Sequence, residues 1–359
     1  MILIMVAITT GLLLIIIGIL LFYSPGNPEP FLDYNGKHLE GSISEKTFIT
    51  IGGIRQGMII KSKNQENPVL LYLHGGIPDY FLTQKYPTGL EDYFTVVWWE
   101  QRGSGLSYSV DISSETMNLD QMIADTKEIT NYLRTRFGQE KIYLMGRSGG
   151  TYFGIQTAVN TPELYHAYIG IGQMSDHLES ERIAYEYLLK TFREAGNRKM
   201  VRKLEASAVT DDIPYGYLKL RDKAMHSLGV GTTHDMNSII TGLFIPSLTC
   251  RAYTLKEKFN LWRSKSQWGV HPLWDSMIST DLAQQTSEVK IPVYFFHGIY
   301  DYTVSYTLAK QYFEGLNAPV KGLYTFKNSA HSPHFEEPLR VKDIIVSDVL
   351  NGKVALADN

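Results

Sequence analysis

Cysteine is almost absent from this chain, which has a single one, Cys250, among its 359 residues. One cysteine excludes a disulfide within the chain and argues against a metal site built on thiolates. We therefore expect Cys250 to be a small buried residue.

The chain also lacks a strong net charge and any repeat of fixed period. Lysine and arginine number 34 against 37 aspartate and glutamate residues, which gives a net charge of −3. This balance excludes the basic surface that nucleic-acid binding requires. No H-E-x-x-H motif occurs and the paired histidines lack a second cluster, so we expect neither a metal nor another cofactor.

Charged side chains are missing from Met1 to Tyr23. A helix of about 20 apolar residues spans roughly 30 Å of hydrocarbon, so this run is long enough to cross a membrane. A cleaved signal peptide is the alternative, but the run has no basic start and no A-x-A-like site follows it. We expect an uncleaved single-pass anchor at residues 1–23 and a stiff, proline-rich linker at residues 24–47.

The orientation of this anchor depends on the charges beside it. Lys37 is the nearest basic residue, and Glu29 and Asp33 precede it on the C-terminal side. Because cytoplasmic flanks are enriched in lysine and arginine, this order favours a chain whose larger part lies outside the cytoplasm.

The segment Lys141–Gly150, KIYLMGRSGG, contains the pattern G-x-S-x-G with Ser148 at its centre. An apolar run of strand character precedes it and a helical pattern follows, which is the context of the nucleophile elbow of serine hydrolases. Side chains at Gly146 or Gly150 would clash where the backbone turns back on itself. A purely structural Gly/Ser turn is the alternative interpretation.

Apolar runs alternate with helical patterns along most of the chain. Phe48 to Lys61 is expected to form a hairpin that turns at Gly52-Gly53. Further strands are expected at residues 69–73, 94–99, 142–145, 167–172, 292–296 and 320–326, and helices at residues 119–137, 151–159 and 341–350. Such alternation predicts an α/β fold with a mostly parallel sheet and helices on both faces.

Residues 174–287 interrupt this alternation and have a mostly helical pattern. Because they lie between two predicted strands, we expect an inserted helical cap that divides an α/β core into residues 48–173 and 288–359. The insertion is rich in aromatic side chains, namely Tyr185, Tyr187, Phe192, Trp262, Trp268 and Trp274.

A serine nucleophile needs a base and an acid that orients the base. In α/β-hydrolases the chain order is serine, acid and histidine, and Asp301 and His331 each follow a predicted strand in that order. Asp176 is the alternative acid and His334 the alternative base. His297 ends a strand and is expected to be structural.

Two backbone N–H groups are expected to bind the oxyanion. Gly149 lies at the start of the helix after Ser148, where an N–H is free. The second donor is expected from the loop His74–Asp79, with Gly76 preferred and Ile77 as the alternative. A simple tight turn at Gly75-Gly76 is the other interpretation of this loop.

These motifs occur in the order found in α/β-hydrolases and together resemble the proline iminopeptidase branch. They are His74-Gly75-Gly76, Glu100-Gln101-Arg102-Gly103-Ser104-Gly105-Leu106-Ser107, Gly146-Arg147-Ser148-Gly149-Gly150, Gly298-Ile299-Tyr300-Asp301 and His331-Ser332-Pro333-His334-Phe335-Glu336-Glu337-Pro338. The resemblance extends from about Ile49 to Leu350. It departs in two places, because HGGPG is replaced by His-Gly-Gly-Ile-Pro-Asp and because Gly149 stands where the family has a bulky residue.

The resemblance implies that carboxylates near the cap hold the free amine of a substrate. Glu179, Glu181 and Glu186 lie at the start of the cap and are the candidates, although a solvated acidic face is the alternative. We therefore expect a membrane-anchored serine hydrolase that cleaves an ester or amide of a small molecule or short peptide through an acyl-enzyme. An aminopeptidase, an esterase or lipase, an acyltransferase and a non-catalytic binding protein on the same fold remain open.

Overall fold

The computed structural model describes residues 2–267 and 272–358, and in this part of the chain it contains one eight-stranded sheet. The strands are β1 (Ile43–Ile51), β2 (Ile54–Ser62), β3 (Val69–Leu73), β4 (Thr95–Glu100), β5 (Ile142–Arg147), β6 (Tyr165–Ile171), β7 (Val293–Gly298) and β8 (Lys321–Phe326).

The strand order is β1-β2-β4-β3-β5-β6-β7-β8. β2 is antiparallel to both β1 and β4, and the remaining pairs are parallel, so the mostly parallel sheet is confirmed. All five residues of β3 are buried, as expected for a strand covered on both faces. Successive residues of β3 enter different clusters, with Leu71 in one and Leu70 in the other, so the core has two layers.

Helices cover the sheet on both faces, and one further helix extends from the N-terminal end of the chain. They are α1 (Ile2–Phe22), α2 (Leu119–Phe137), α3 (Gly149–Asn160), α4 (His177–Glu194), α5 (Arg198–Glu205), α6 (Tyr215–Ser227), α7 (Ile245–Thr249), α8 (Leu255–Gln267), α9 (Pro272–Ser279), α10 (Leu282–Gln285), α11 (Tyr306–Gly315), α12 (Pro333–Glu336) and α13 (Pro338–Ser347). α2 and α3 contribute to the layer that contains Leu71, and α13 contributes to the layer that contains Leu70.

The insertion between β6 and β7 carries helices α4 to α10. It has a hydrophobic cluster of its own that includes Leu188, Tyr217 and Trp274. Trp268, one of the aromatic residues noted in the sequence, lies outside the described residues. Cys250 is buried, as predicted.

The first strand begins inside the segment that was predicted as a linker. β1 starts at Ile43 and pairs with β2 along its whole length. The sequence did not predict this part of the strand, because Ser44, Glu45 and Lys46 are polar residues of low strand propensity. Polar residues of this kind are typical of an edge strand.

α1 is the one helix among the described residues that is long and apolar enough to cross a membrane. Its stretch Ile4–Phe22 has a mean hydropathy of 2.9, and none of it is buried within the protein. At 1.5 Å per residue, a helix of 21 residues is about 30 Å long, close to the thickness of a hydrocarbon core. A signal sequence would satisfy the same test.

Candidate active site

Ser148 occupies the turn between β5 and α3. With φ at 55° and ψ at −128°, it is the one non-glycine residue of positive φ within residues 2–267 and 272–358. Such a backbone costs about 1–3 kcal/mol and persists where the surroundings hold it in place. Strain of this kind is typical of a nucleophile elbow.

The glycines around Ser148 leave room for this turn. A Cβ atom at Gly146 would lie 2.8 Å from the carbonyl oxygen of Gly150, and one at Gly150 would lie 2.7 Å from that of His74. A Cβ atom at Gly75 would lie 2.7 Å from Ser148 Cβ. Because these distances are shorter than real Cβ contacts, the turn requires glycine at all three positions.

Asp301 and His331 form a hydrogen-bonded pair beside the elbow. Asp301 Oδ2 lies 2.7 Å from His331 Nδ1, and both side chains are almost fully buried. The other carboxylate oxygen, Oδ1, accepts from the backbone N–H groups of Thr303 and Val304 at 2.9 Å each. His297 Nε2 lies 3.2 Å from Oδ2. These contacts fix the carboxylate and, through it, the imidazole ring.

The surroundings set the charge of both members of this pair. Burial raises the pKa of Asp301, but the charge of His331 and the hydrogen bonds from His297 and His331 outweigh burial and lower it. Burial lowers the pKa of His331 to about 4 despite the opposing effect of Asp301. At neutral pH the carboxylate is therefore charged and the imidazole neutral, as a general base must be.

His331 Nε2 is the atom of this pair that is free to accept a proton. It is buried and has no hydrogen-bond partner among the described residues. His331 and Ser148 line the same cavity, and hydrogen bonds between such groups commonly tighten only when substrate binds.

Gly76, Ile77 and Gly149 line this cavity together with Ser148. Gly149 is the first residue of α3, and the first four N–H groups of a helix have no acceptor within it. The N–H of Gly149 therefore lies beside the serine without an intrahelical partner. The structure thus brings both preferred oxyanion donors, and the alternative Ile77, to one place.

The alternative acid and base have other partners. Asp176 caps α4 by accepting from the N–H of Glu179 at 2.9 Å, and it makes no hydrogen bond with His331. His334 is fully buried, and its Nε2 lies 3.2 Å from the hydroxyl of Tyr72. The geometry favours Asp301 and His331 over both.

Sequence reasoning missed a buried network behind the elbow. Arg147 Nη1 lies 3.1 Å from Asp79 Oδ2, and Arg147 Nη2 donates to Ser332 Oγ at 2.7 Å. The hydroxyl of Tyr72 donates to the same oxygen of Asp79 at 2.8 Å. An arginine inside an apolar strand is the signal that could have revealed it, because a buried charge needs a partner.

The loop that carries His331 is held by a carboxylate that sequence reasoning also missed. Glu336 Oε2 accepts from the N–H groups of Ala330 and Ser332, at 3.0 and 3.4 Å. Because these are the two neighbours of His331, Glu336 holds the histidine loop from both sides.

The cavity has a volume of about 390 Å³ and lies between the elbow and the insertion. Its wall combines apolar residues with charged residues from α4, α6 and α8. The apolar part comprises Ile77, Met174, Leu218, Met225, Leu243, Trp274 and Met277, and the charged part comprises Glu181, Lys219, Arg221, Asp222 and Lys265, together with Arg147 from the elbow.

Of the three predicted amine-binding carboxylates, only Glu181 reaches the cavity. Glu181 is buried, and Arg221 donates from Nε to its Oε2 at 2.8 Å. Glu179 instead pairs with Arg182 on a partly exposed surface, and Glu186 is exposed. The structure does not bring Glu179 and Glu186 to the cavity, because the face of α4 that carries them turns away from it.

Asp222 is a second carboxylate of the cavity wall, and sequence reasoning did not select it. Its Oδ1 lies 3.1 Å from Arg221 Nη1 and its Oδ2 lies 3.2 Å from Lys265 Nζ. Burial raises the pKa of Asp222, but the charges of Lys265 and Arg221 outweigh this effect and lower it.

Comparison with known proteins identifies the family of this chain. A family model described as serine aminopeptidase, S33, matches residues 66–232. The probable aminopeptidase YbaC of Bacillus subtilis strain 168 is 32% identical over 306 residues, which cover 83% of this chain and 93% of that protein. The chain belongs to the serine aminopeptidase S33 family.

Solved structures agree with this S33 assignment at the level of the fold. The proline iminopeptidase of Mycobacterium smegmatis has a TM-score of 0.63 at 14% identity, covering 86% of this chain and 98% of that one. VinJ has a TM-score of 0.61 at 17% identity, covering 85% and 98%. The predicted α/β-hydrolase fold is confirmed, and the predicted resemblance to proline iminopeptidases is confirmed at the level of the fold.

Proposed function

We propose that this S33 family member is a serine hydrolase whose catalytic residues are Ser148, His331 and Asp301. The proposal is based on the buried Asp301–His331 pair, whose Oδ2 and Nδ1 atoms are 2.7 Å apart. His331 lines the same cavity as Ser148, a serine of positive φ. A neutral histidine oriented by a charged carboxylate is the arrangement that activates a serine hydroxyl.

The positions of these groups support a reaction through an acyl-enzyme. His331 Nε2 takes the proton of Ser148 as the oxygen attacks the substrate carbonyl, and the N–H groups of Gly76 and Gly149 bind the oxyanion. His331 then donates that proton to the leaving group, and an acyl-enzyme on Ser148 remains. Water, deprotonated by His331, releases the acid and restores the hydroxyl.

We propose an aminopeptidase as the specific activity. The names of YbaC and of the Mycobacterium smegmatis enzyme support it, as do the two carboxylates in the cavity wall. Glu181 and Asp222 lie in the same cavity as Ser148, and a substrate ammonium would be attracted to them. Arg221 already binds both carboxylates, so the amine would share them with that guanidinium.

An esterase is the second candidate, and the apolar part of the cavity favours it. Met174, Met225, Leu243, Trp274 and Met277 would accommodate an acyl chain without polar partners. An acyltransferase would use the same acyl-enzyme but would transfer the acyl group to an acceptor other than water.

We also propose that α1 anchors the enzyme in a membrane, with the catalytic domain outside the cytoplasm. The uncharged helix Ile2–Phe22 and the order of Glu29, Asp33 and Lys37 support this topology. Protease treatment of sealed cells tests it. A catalytic domain that is protected inside the cells would refute the orientation, and a mature chain that lacks α1 would refute the anchor.

Fluorophosphonate labelling of the purified full chain tests the proposed chemistry. We expect wild-type protein to be labelled, Ser148→Ala to lose the label, and Ser266→Ala, which removes another hydroxyl of the same cavity, to keep it. Folded wild-type protein that takes no label would contradict an activated serine. Release of amine from amino-acyl amides, compared with hydrolysis of acyl esters and with acyl transfer to added alcohols, separates the three activities.

A further inference from the structure

The end of α1 is bound to the insertion. Lys258, on α8, is almost fully buried, and its Nζ donates to the carbonyl oxygen of Tyr23 at 2.5 Å and to Ser24 Oγ at 3.0 Å. The same ammonium donates to the carbonyl oxygen of Leu248 at 2.6 Å. One cation therefore joins the last turn of the apolar helix to the end of α7.

Arg251 makes a second connection at the same place. Its Nη1 donates to the carbonyl oxygen of Phe22 at 3.1 Å, and its own carbonyl oxygen accepts from the N–H of Gly26, also at 3.1 Å. Carbonyl groups at a helix C-terminus lack intrahelical donors, and these two cations satisfy them. The point where α1 ends is thus fixed against residues 248–258.

The helix that leads into this junction has an apolar and exposed face. It runs from Ile240 to Thr249 and is called here the surface helix. No residue between Asp235 and Arg251 carries a charge. Ile240 is 64% exposed, Phe244 41% and Ile245 46%, whereas Leu243 of the same helix is buried and lines the cavity of Ser148.

We propose that the surface helix docks on the lipid bilayer that holds α1, with Ile240, Phe244 and Ile245 inserted among the lipid headgroups. The inference rests on the proposed membrane anchor. A bilayer that contains α1 must end near Phe22 and Tyr23, and Lys258 joins Tyr23 directly to Leu248. At 1.5 Å per residue, Ile245 is about 5 Å and Ile240 about 12 Å along the helix from Leu248.

These distances keep the exposed residues close to the point where α1 leaves the bilayer. An interfacial helix lies in the plane of the membrane, with its apolar face about 5–10 Å deep in the headgroup region. A second copy of the chain or a protein partner could also cover an apolar face of this kind. The bilayer is favoured because α1 brings it to this surface in every molecule, whereas another occupant would have to compete with it. The surface helix would then link the membrane to the cavity wall through Leu243.

Lipid quenching of a site-specific fluorophore tests the proposal on the full chain in phosphatidylcholine vesicles. Cys250, which is buried, is replaced by alanine, and an environment-sensitive nitrobenzoxadiazole label is attached at Phe244→Cys. A label at Leu339→Cys is the matched control, because Leu339 is exposed but lies on α13 of the core. A label at Leu14→Cys reports the insertion of α1.

We expect lipids that carry a spin label near the headgroup to reduce the emission at position 244 about twofold or more, with no change at position 339. Position 14 lies near the middle of the hydrocarbon, so lipids that carry the spin label deep in the acyl chain are used to quench it. Quenching at position 14 without quenching at position 244 would overturn the docking proposal and leave the anchor intact. The reverse result would refute the anchor and with it the premise of this proposal, and no quenching at either site would refute both. Loss of emission that depends on protein concentration, and not on the spin label, would show a second copy on this face and overturn the proposal.

Circular dichroism of each labelled variant shows whether it is folded, and fluorophosphonate labelling shows separately whether Ser148 is reactive. Should Phe244→Cys fail to fold, Ile245→Cys carries the label instead, since Ile245 is exposed on the same helix. Loss of the anchor or of docking leaves the serine reactivity intact, so failure of this proposal is distinguishable from failure of the proposed chemistry.

Discussion

Arg147 and Asp79 form a buried ion pair directly behind the candidate nucleophile, with Arg147 Nη1 3.1 Å from Asp79 Oδ2. Arg147 precedes Ser148 in the elbow, and Asp79 ends the loop that carries Gly76. The pair therefore ties the two sources of the proposed oxyanion hole to each other. Burial raises the pKa of Asp79 by more than Arg147 lowers it, so the carboxylate is held there at an energetic cost.

We expect Asp79→Asn to lower the free energy of unfolding by about 3–5 kcal/mol, because Arg147 would keep a buried charge without its counterion. Urea denaturation of the purified protein measures this change. Glu45→Gln is the matched control, since Glu45 pairs with Arg136 on a partly exposed surface, and exposed pairs contribute about 1 kcal/mol or less. Equal effects of the two substitutions would show that the Arg147–Asp79 pair has no special role.

Asp301→Asn should reduce kcat by about 10⁴-fold, because the amide would hold His331 in the wrong tautomer. The kcat for the best substrate of the screen is the measurement. Asp176→Asn is the control, since Asp176 caps α4 and its replacement should alter stability by at most about 1 kcal/mol while kcat is kept. A loss of kcat in Asp176→Asn, with kcat kept in Asp301→Asn, would identify Asp176 as the acid.

The pH profile of kcat/KM should show an acidic limb with its midpoint near pH 4. Burial lowers the pKa of His331 to about 4, so the imidazole stays neutral, and able to accept the serine proton, until the pH falls to that value. Below it His331 is charged and activity is lost. A midpoint near 6.5, the value of a solvated histidine, would indicate that water enters the site in the free enzyme. Circular dichroism at each pH separates this titration from unfolding.

Glu181→Gln should raise KM for amino-acyl amides by about tenfold or more, since a hydrogen bond to a charged partner contributes about 1.5–3 kcal/mol. Steady-state kinetics on an amino-acyl amide and on an acyl ester without an amine measure the effect. The ester is the internal control, because damage to the Arg221 pair alone would impair both substrates alike. Glu186→Gln, on the exposed face of α4, should change neither. Equal losses on amide and ester would argue against an amine site.

Local features of the site could be predicted from the sequence. Gly146 is required by a steric contact with Gly150 in the same turn. Gly150, in contrast, is required by the carbonyl oxygens of Leu73 and His74 at the end of β3. Both glycines belong to the G-x-S-x-G motif, so the sequence indicates them without showing the distant contact. Asp301 and His331 could be selected because each follows a strand of a parallel sheet, where loops gather at one edge. These predictions depend on chain order and strand ends, which a single sequence shows.

The contacts that depend on distant packing could not be predicted. Glu179 and Glu186 share a helix face by spacing, but spacing does not tell which face of α4 meets the cavity. Arg182 and solvent surround that face, and Glu181 points the other way, toward Arg221. The partner of Arg147 lies in a different loop, at Asp79, and no local pattern joins the two.

The division of the core by the insertion has a consequence for biosynthesis. Translation delivers α1 first, Ser148 next, then the whole of the insertion, and Asp301 and His331 only near the end. The ribosome therefore releases the proposed nucleophile before the two side chains that we propose activate it. With these roles, and with α1 as the proposed anchor, a nascent chain in the bilayer would remain unreactive until its last strand, β8, has joined the sheet.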